Sequence, residues 1–322
     1  MISIVMPFKN AAPWMAESLQ TLRLQTYSRW ELIAVDDGST DESRTIVERF
    51  AEADDRVSVL TNRGIGIIPA LQTGAARVKG AFLSRMDADD LMPPRKLEVL
   101  LGAAIENPGA LVTGRVKYFS DTAVSYGYLN YEQWLNSCLL NNDFERFMYR
   151  ECTVASPNWL LPVTVFHEIH VFEELRYPED YHFILRLYAA GVPFAGVNEI
   201  THLWREHPDR TSRNSEHYEQ RSFFNLKIDF WCDVERDSNR QTVIIGAGKK
   251  ANYTVEVFKD RQLPFRRFGL FETPDIEPVE RLKSIPKPQI LVAVWPNEKE
   301  RSNIITFLGE QGLKESVDFW FL

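Results

Sequence analysis

A short apolar run that ends in two acids decides the fold: Glu31-Leu32-Ile33-Ala34-Val35-Asp36-Asp37-Gly38-Ser39-Thr40-Asp41. Its continuous apolar part is typical of a strand that is buried on both faces, as strands of parallel sheets are. An amphipathic helix is predicted next, over Asp41–Ala53, with Ser39 and Glu42 as a capping box. The stretch therefore predicts a strand, turn and helix of an α/β protein.

Short apolar runs also alternate with amphipathic segments on either side of this unit. This alternation indicates β-α-β units with a mostly parallel sheet flanked by helices. Candidate strands are Ile2–Met6, Glu31–Val35, Val57–Leu60 and Ala81–Met86. Residues Glu98 to Ser156 show no sustained period and are assigned only as mixed helix and loop. A helical stripe returns over Asp180–Ala190 and ends at Gly191, a residue suited to a helix C-terminus.

A second α/β pattern follows the charged stretch Asp233–Arg240, which is typical of a linker. It contains three further candidate strands, Thr242–Ile245, Phe268–Phe271 and Ile290–Val294. We therefore predict one domain over residues 1–232 and a small Rossmann-like domain over residues 238–322.

The composition indicates a globular protein, with 44% hydrophobic and 25% charged residues. A net charge of −8 argues against nucleic acid as a partner, because such binding depends on many Lys and Arg contacts. A small phosphorylated ligand stays compatible with this charge, since a metal ion can supply positive charge locally. The three cysteines, which form no Cys-x-x-Cys pair, predict neither a disulfide framework nor a zinc site.

No apolar run approaches the roughly 18 residues of a membrane span, so no span is predicted. The first residues, Ile2-Ser3-Ile4-Val5-Met6, are typical of a strand rather than of a signal peptide. We therefore expect a cytoplasmic protein, and its contact with the cytoplasmic face of a membrane and its oligomeric state stay open.

Two acidic motifs follow predicted strands. In open α/β sheets ligands bind beyond the carboxyl ends of strands, where Asp36 and Asp37 could accept hydrogen bonds from a base or a ribose. Their alternative role is to cap the next helix. After the strand ending at Met86, Asp87 and Asp89 are two residues apart and point the same way, which suits Mg²⁺ or Mn²⁺. The alternative there is a solvated acidic loop.

Two later motifs are less decisive on their own. Asp180, after Glu179 at a helix start, is on its own better interpreted as a helix cap. The run from His202 to His207, with Arg210 beyond it, could neutralise a diphosphate or, through His207, assist a metal. A surface loop of mixed charge explains this run equally well.

Together these motifs resemble glycosyltransferase family 2, whose members adopt the GT-A fold. The resemblance covers about residues 1–215 and rests on several motifs in the family's order. They are Ile4-Val5-Met6-Pro7-Phe8-Lys9-Asn10, the run from Gln25-Thr26-Tyr27 to Asp41, Arg85-Met86-Asp87-Ala88-Asp89-Asp90 and Glu179-Asp180.

The resemblance implies an inverting transfer from a nucleotide-sugar, usually a UDP-sugar, with Mn²⁺ or Mg²⁺ bridging the diphosphate. It implies donor binding over about residues 1–115 and acceptor binding over about 116–232. The implied roles are Pro7, Asn10, Asp36, Asp37 and Asp87 for the nucleotide-sugar, Asp89 with Asp87 for the metal, and Asp180 as catalytic base. Further candidates are Arg85 for the nucleotide-sugar, His207 for the metal, and Glu179, Trp204 and Arg205 for the acceptor or diphosphate. Glu179 could instead orient Asp180.

Two departures from the family pattern matter. Phe8-Lys9 stands where many relatives carry an aromatic residue directly before the asparagine, which leaves base stacking open. The Gln-x-x-Arg-Trp motif of processive synthases is absent after Asp180. We therefore expect transfer of single sugars, to a glycan or lipid-linked glycan in cell-surface glycan biosynthesis.

A glycine-rich loop, Gly246-Ala247-Gly248-Lys249-Lys250-Ala251, lies between a strand and a helix of the second domain. Such a loop can bind a pyrophosphate, with Glu272 on a ribose, but its glycines also suit a tight turn. Two alternatives to glycosyl transfer therefore stay open: a nucleotide sensor or oxidoreductase that uses this loop, and a binding or scaffold protein without turnover.

Overall fold

A computed structural model describes residues 1–170, 172, 176–271, 274, 276–294 and 296–322, with the backbone alone at 211 and 212. These residues form two compact units. One consists of Met1–Phe144 and Thr153–Asn214, the other of Glu145–Cys152 and Ser215–Leu322. The division into residues 1–232 and 238–322 stays a prediction. Among the described residues, no helix is both long and apolar enough to cross a membrane.

The first unit alternates strands and helices along the chain. Its elements are β1 (Ile2–Phe8), α1 (Ala12–Arg23), β2 (Trp30–Asp36), α2 (Ser43–Glu52), β3 (Val57–Thr61), α3 (Ile67–Ala75), β4 (Phe82–Arg85), α4 (Lys96–Glu106), β5 (Leu111–Phe119), α5 (Tyr126–Leu140), β6 (Trp159–Pro162), α6 (Val163–Glu168), α7 (Glu179–Ala189), β7 (Phe194–Arg205) and α8 (Thr211–Asn214).

These strands form one seven-stranded sheet in the order β3-β2-β1-β4-β6-β5-β7. Only β6 runs antiparallel to its neighbours, so the predicted α/β fold with a mostly parallel sheet is confirmed. Because β2 and β4 pair with opposite edges of β1, the connections reverse direction there. A crevice at the carboxyl ends of β1 and β4 is the usual ligand site of such sheets.

The two faces of β2 explain its continuous apolar sequence. Leu32 and Ala34 belong to the large core cluster, to which α1, α2 and α4 also contribute. Ile33 and Val35 point to the other face, where they pack with Ala70 of α3. Alternate side chains of a strand point to opposite faces, so a strand covered by helices on both sides is apolar throughout.

The predicted capping box of α2 is wrong. The helix begins at Ser43, and neither Ser39 nor Glu42 caps it through a side chain. Instead, the Ser39 hydroxyl accepts a hydrogen bond from the backbone N–H of Asn10 at 3.1 Å. Asp41 caps the helix start, because its carboxylate accepts the N–H of Ser43 at 3.0 Å.

Strand β5 was missed because side chains of α5 occupy part of one of its edges. The Asn136 side chain accepts the N–H of Val116 and donates to its carbonyl, both at 2.9 Å. Glu132 accepts the N–H of Tyr118. Backbone groups that a neighbouring strand would normally satisfy are thus bonded by helix side chains, an arrangement that no local sequence period indicates.

Two glycines in helices of the first unit should respond oppositely to alanine. A Cβ on Gly74 of α3 would lie 2.5 Å from Val5 Cγ1, whereas one on Gly102 of α4 would meet nothing within 4 Å. We expect Gly74→Ala to destabilise the protein by about 1–3 kcal/mol through overpacking. Gly102→Ala should stabilise it by about 0.5–1 kcal/mol through helix propensity. Urea unfolding would measure both, and equal midpoints would contradict this packing of α3.

The second unit contains a five-stranded, all-parallel sheet in the order β10-β9-β8-β11-β12. It therefore has the Rossmann-like character that the sequence predicts. Its elements are α9 (Gln220–Val234), β8 (Thr242–Ile245), α10 (Lys249–Asp260), β9 (Arg266–Gly269), β10 (Glu277–Pro278), β11 (Gln289–Val292), α11 (Glu298–Gly309) and β12 (Phe319–Phe321).

Candidate active site

The acids predicted at strand ends lie at one edge of the first sheet. Strands β1, β2 and β4 are parallel, and Phe8 at the end of β1 is in register with Asp36 at the end of β2. Pro7 is half-buried within β1, and Asn10 follows the strand in an exposed position. Asn10 Oδ1 accepts the N–H of Thr40 at 2.8 Å, which fixes the turn after Asp37.

Asp36 and Asp37 both bond to neighbouring loops. Asp36 is 4% exposed, and its carboxylate accepts the N–H of Ser39 at 2.9 Å. Asp37 accepts the N–H of Gly66 at 2.9 Å and the side-chain amide of Asn62 at 2.6 Å. Asp37 thereby holds the loop between β3 and α3, a contact that no local sequence pattern indicates. A nucleotide role for these two carboxylates stays a prediction.

Arg85 joins two predicted motifs that lie far apart in the sequence. Its Nε donates to Asp87 Oδ1 at 2.7 Å, and its Nη1 donates to Glu179 Oε1 at 3.0 Å. Arg85 and Glu179 are 5% and 2% exposed. Because a buried carboxylate without a partner is costly, this ion pair ties the first turn of α7 to the end of β4.

Asp180 lies in the same turn of α7 and is half-buried. Burial and, after it, the neighbouring Glu179 raise the pKa of Asp180 to about 7, and Arg85 opposes both. Burial also raises the pKa of Asp87, against the effect of Arg85 and with that of Asp89. A carboxylate whose pKa lies near neutral pH is suited to accept and release a proton.

Asp89 contacts His207, the other predicted metal ligand. Asp89 Oδ2 lies 2.9 Å from His207 Nε2, and the His207 ring lies on the Trp14 ring with centroids 3.8 Å apart. The His207 side chain is 10% exposed, and its buried Nδ1 has no hydrogen-bond partner among the residues that the structure describes. An orphaned imidazole nitrogen of this kind is suited to bind a ligand or a cation.

The side chains at this site provide part of the ligand set of a divalent cation. Within the described ranges, no group of three or more His, Cys, Asp or Glu side chains is arranged to hold a metal ion. The Asp87 and Asp89 carboxylates, with His207 nearby, nevertheless provide the oxygen and nitrogen donors that Mn²⁺ accepts. A cation held by so few side chains completes its shell with phosphate oxygens and water.

Asp90 supports the acidic loop that contains Asp87 and Asp89. Its Oδ2 lies 3.0 Å from His202 Nε2, and its Oδ1 accepts the N–H of Arg205 at 2.8 Å. Asp90 and His202 are each 2% exposed. The pKa of Asp90 is raised by burial and then by Asp89 and Asp87. Asp90 thus fixes the acidic loop against β7.

The run from His202 to Arg205 lies in strand β7, so its interpretation as a surface loop is wrong. Arg205 is 5% exposed, pairs with Glu17 and donates to the Asp89 carbonyl at 2.8 Å. Trp204 stacks on Tyr118 with ring centroids 4.9 Å apart. Arg205 thus supports the backbone of the acidic loop, and acceptor or diphosphate contacts of Arg205 and Trp204 stay predictions.

In the second unit, the glycine loop lies between β8 and α10. Gly246 has φ 145°, and a Cβ there would lie 2.8 Å from the Ala293 carbonyl, so close packing explains this glycine. At Gly248 a Cβ would meet nothing within 4 Å, and this packing does not require a glycine. Glu272 lies outside the described residues. Nucleotide binding at this loop stays a prediction.

Comparison with known proteins decides the family. Residues 3–169, more than half of the chain, match the family model described as glycosyl transferase family 2. The chain belongs to this family. The resemblance noted in the sequence is confirmed, and the acids of the first unit belong to a family 2 glycosyltransferase. That assignment argues against a scaffold protein without turnover. It also argues against an oxidoreductase as the main activity.

Curated relatives are similar at moderate identity. The glycosyltransferase GlyG of Streptococcus pneumoniae is 27% identical over 216 residues, which cover 64% of this chain and 70% of that protein. The UDP-Glc:alpha-D-GlcNAc-diphosphoundecaprenol beta-1,3-glucosyltransferase WfgD of Escherichia coli is 28% identical over 144 residues. That alignment covers 43% of this chain and 56% of the Escherichia coli protein.

Solved structures share the fold of this glycosyltransferase at low identity. TarS of S. aureus, in complex with UDP-GlcNAc, aligns with a TM-score of 0.59 at 16% identity, covering 73% of this chain and 68% of that chain. The mannosyltransferase PcManGT of Pyrobaculum calidifontis, in complex with GDP-Man and Mn²⁺, aligns with a TM-score of 0.52 at 17% identity. That alignment covers 80% of this chain and 69% of the mannosyltransferase. The likeness confirms the predicted GT-A fold.

Proposed function

We propose that this family 2 glycosyltransferase is metal-dependent, inverting and non-processive, and transfers a sugar from a UDP-sugar to a hydroxyl of a glycan or lipid-linked glycan. The observation that carries the proposal is the Arg85 bridge between Asp87 and Glu179. Through it, the donor carboxylates after β4 and the candidate base on α7 belong to one site. We assign the enzyme to cell-surface glycan biosynthesis in the cytoplasm, as expected from the sequence.

Donor binding is assigned to the crevice beyond β1, β2 and β4. Two proteins similar to this chain are named with uridine nucleotides, the Escherichia coli glucosyltransferase with UDP-Glc and TarS with UDP-GlcNAc. These names support a UDP-sugar as the donor class. The nucleoside is proposed to lie next to Pro7, Asn10, Asp36 and Asp37 and next to the loop that Asp37 holds.

The cation is assigned to Asp89, with Asp87 and His207 as the other candidate ligands. When bound, Mn²⁺ or Mg²⁺ stabilises the negative charge on the departing diphosphate as a Lewis acid. The mannosyltransferase of similar fold is in complex with both Mn²⁺ and its nucleotide-sugar, which supports this assignment. The protein's contribution is to hold Asp89 in place through Asp90, Arg205 and His207.

Asp180 is assigned as the catalytic base. It takes the proton of the acceptor hydroxyl while the hydroxyl oxygen forms a bond to the anomeric carbon. The bond from that carbon to the diphosphate oxygen breaks on the opposite face, so the configuration inverts. Burial and then Glu179 raise the pKa of Asp180, and Arg85 lowers it. The absence of Gln-x-x-Arg-Trp after Asp180 supports transfer of single sugars.

A thermal-shift panel of nucleotide-sugars with Mn²⁺ or EDTA tests this proposal. We expect UDP-sugars with Mn²⁺ to raise Tm, since ligand at a hundredfold excess over Kd stabilises the native state by about 2.7 kcal/mol. GDP-mannose should shift Tm less. Equal shifts in Mn²⁺ and EDTA would contradict the role of the metal. A shift with NAD(H) that is lost in Gly248→Val, where an added Cβ meets nothing within 4 Å, would instead identify a nucleotide site at the glycine loop.

A further inference from the structure

The segment after β7, residues 206–214, is fixed at two points. The first point is Glu206, whose N–H donates to the Phe119 carbonyl at 2.8 Å and whose carbonyl accepts the Ser120 hydroxyl at 3.0 Å. The second point is Arg210, which is 9% exposed and donates to Glu206 Oε2 at 3.0 Å. Between the two points lies His207.

Arg210 is enclosed by aromatic rings. Its guanidinium carbon lies 5.1 Å from the ring centroid of Trp204, 5.6 Å from that of Tyr128 and 5.8 Å from that of Tyr118. We call these three rings with Arg210 the arginine box. A guanidinium over an aromatic face is attracted to the ring, and the attraction is stronger where the site excludes water.

Arg210 keeps its charge in spite of its burial. Burial lowers the pKa of Arg210, but Tyr118, Asp90 and Glu206 outweigh this effect, so the pKa is raised above its ordinary value. The charge therefore stabilises the box and holds the Glu206 carboxylate at the same time. A neutral side chain at position 210 would lose both the stacking and the ion pair.

His207 depends on this segment for its place. The chain directly after Glu206 brings the His207 ring onto Trp14, with its Nε2 at Asp89 Oδ2. No hydrogen bond of the His207 ring other than this one is present among the described residues. The ring is thus positioned by stacking, by Asp89 and by the two fixed points beside it.

We propose that Arg210 is a positioning residue, whose box holds the His207 imidazole against Asp89 and thereby sets the affinity of the site for Mn²⁺ with UDP. The last part rests on the proposed function, whereas the positioning of His207 does not. Arg210 touches neither donor nor acceptor in this account and acts through His207.

Arg213 provides a matched control. It also pairs with Glu206, and its guanidinium lies 5.3 Å from the Tyr128 ring centroid. Its side chain is 39% exposed, however, so it lies at the rim of the box. Removing Arg213 takes away one charge and one partner of Glu206 but leaves Arg210 enclosed.

The experiment compares Arg210→Ala, Arg210→Lys and Arg213→Ala with the wild type by NMR of ring-labelled histidines, without ligand. The chain has 6 histidines, and a His207→Gln variant assigns the His207 signal. In the wild type, we expect this signal to be displaced by the ring current of Trp14. In Arg210→Ala it should return towards the position of an exposed histidine, and Arg210→Lys should move it part of the way. Arg213→Ala should leave it unchanged.

Calorimetric titration of Mn²⁺ into each protein with UDP gives the second readout. We expect Arg210→Ala to weaken Mn²⁺ binding about 10- to 100-fold, as is typical when the support of a metal ligand is lost. An unmoved His207 signal in both Arg210 variants would overturn the proposal, and so would equal effects of Arg213→Ala and Arg210→Ala. If the wild type binds no Mn²⁺ with UDP while the signal moves as expected, the positioning role stands and the proposed function fails.

Discussion

Asp180→Asn is expected to lower kcat by about 10²- to 10⁴-fold, the usual contribution of a general base, with little change in KM for the nucleotide-sugar. The amide keeps the shape of the side chain but has no basic oxygen that can take the acceptor's proton. Initial rates of UDP release with saturating acceptor would measure the effect. Asp121→Asn, at an exposed position, is the control and should match the wild type.

The pKa of Asp180 also predicts the pH dependence of kcat. Because burial and Glu179 raise this pKa to about 7, the base is protonated and inactive at lower pH. The rate should therefore rise with pH through about 7 and level off above it. Glu179→Gln removes the negative neighbour, so the same rise should move to lower pH. Full turnover by Asp180→Asn, or a pH profile that Glu179→Gln leaves in place, would remove the base assignment.

Asp89→Asn should abolish metal-dependent transfer, with kcat/KM lower by about a thousandfold or more. A bound cation contributes several kcal/mol to transition-state stabilisation, and each 1.4 kcal/mol corresponds to about a tenfold change in rate. A neutral amide is a poor ligand for Mn²⁺ and also changes the contact with His207. UDP release over a range of Mn²⁺ concentrations would measure the loss.

His207→Gln provides the graded comparison for this prediction. The substitution removes the imidazole that contacts Asp89 but leaves the Asp89 carboxylate. We therefore expect a loss of only about 10- to 100-fold in Mn²⁺ affinity. If Asp89→Asn retains Mn²⁺-dependent turnover, the cation is bound elsewhere and the role of Asp89 is structural.

The sequence predicts the strands and helices that are determined by short local patterns of apolar and polar residues. Strands β1 to β4 lie within two residues of their predicted positions, because each is a short apolar run between turn residues. The helix predicted over Asp180–Ala190 differs by one residue at each end. Since parallel strands end at one edge of a sheet, the sequence also predicts that the motifs after β2 and β4 lie at the same edge.

Contacts between distant residues account for what was missed. Arg85 was expected near the nucleotide-sugar, but its ion pair with Glu179 spans 94 positions and has no local signal. Likewise, His202 and Arg205 carry polar side chains typical of a loop, yet they lie in β7 because Asp90, Asp89 and Glu17 satisfy them. Buried polar groups need such partners, and a single sequence does not identify them.

The most direct test of a metal-dependent nucleotide-sugar site in the first unit is anomalous scattering from a crystal soaked with Mn²⁺ and UDP. Our account predicts a manganese peak bound to the Asp89 carboxylate, next to Asp87 and His207 and between the protein and the diphosphate. A manganese peak away from Asp89, or UDP bound at the glycine loop of the second unit and not beside β1 and β4, would contradict it.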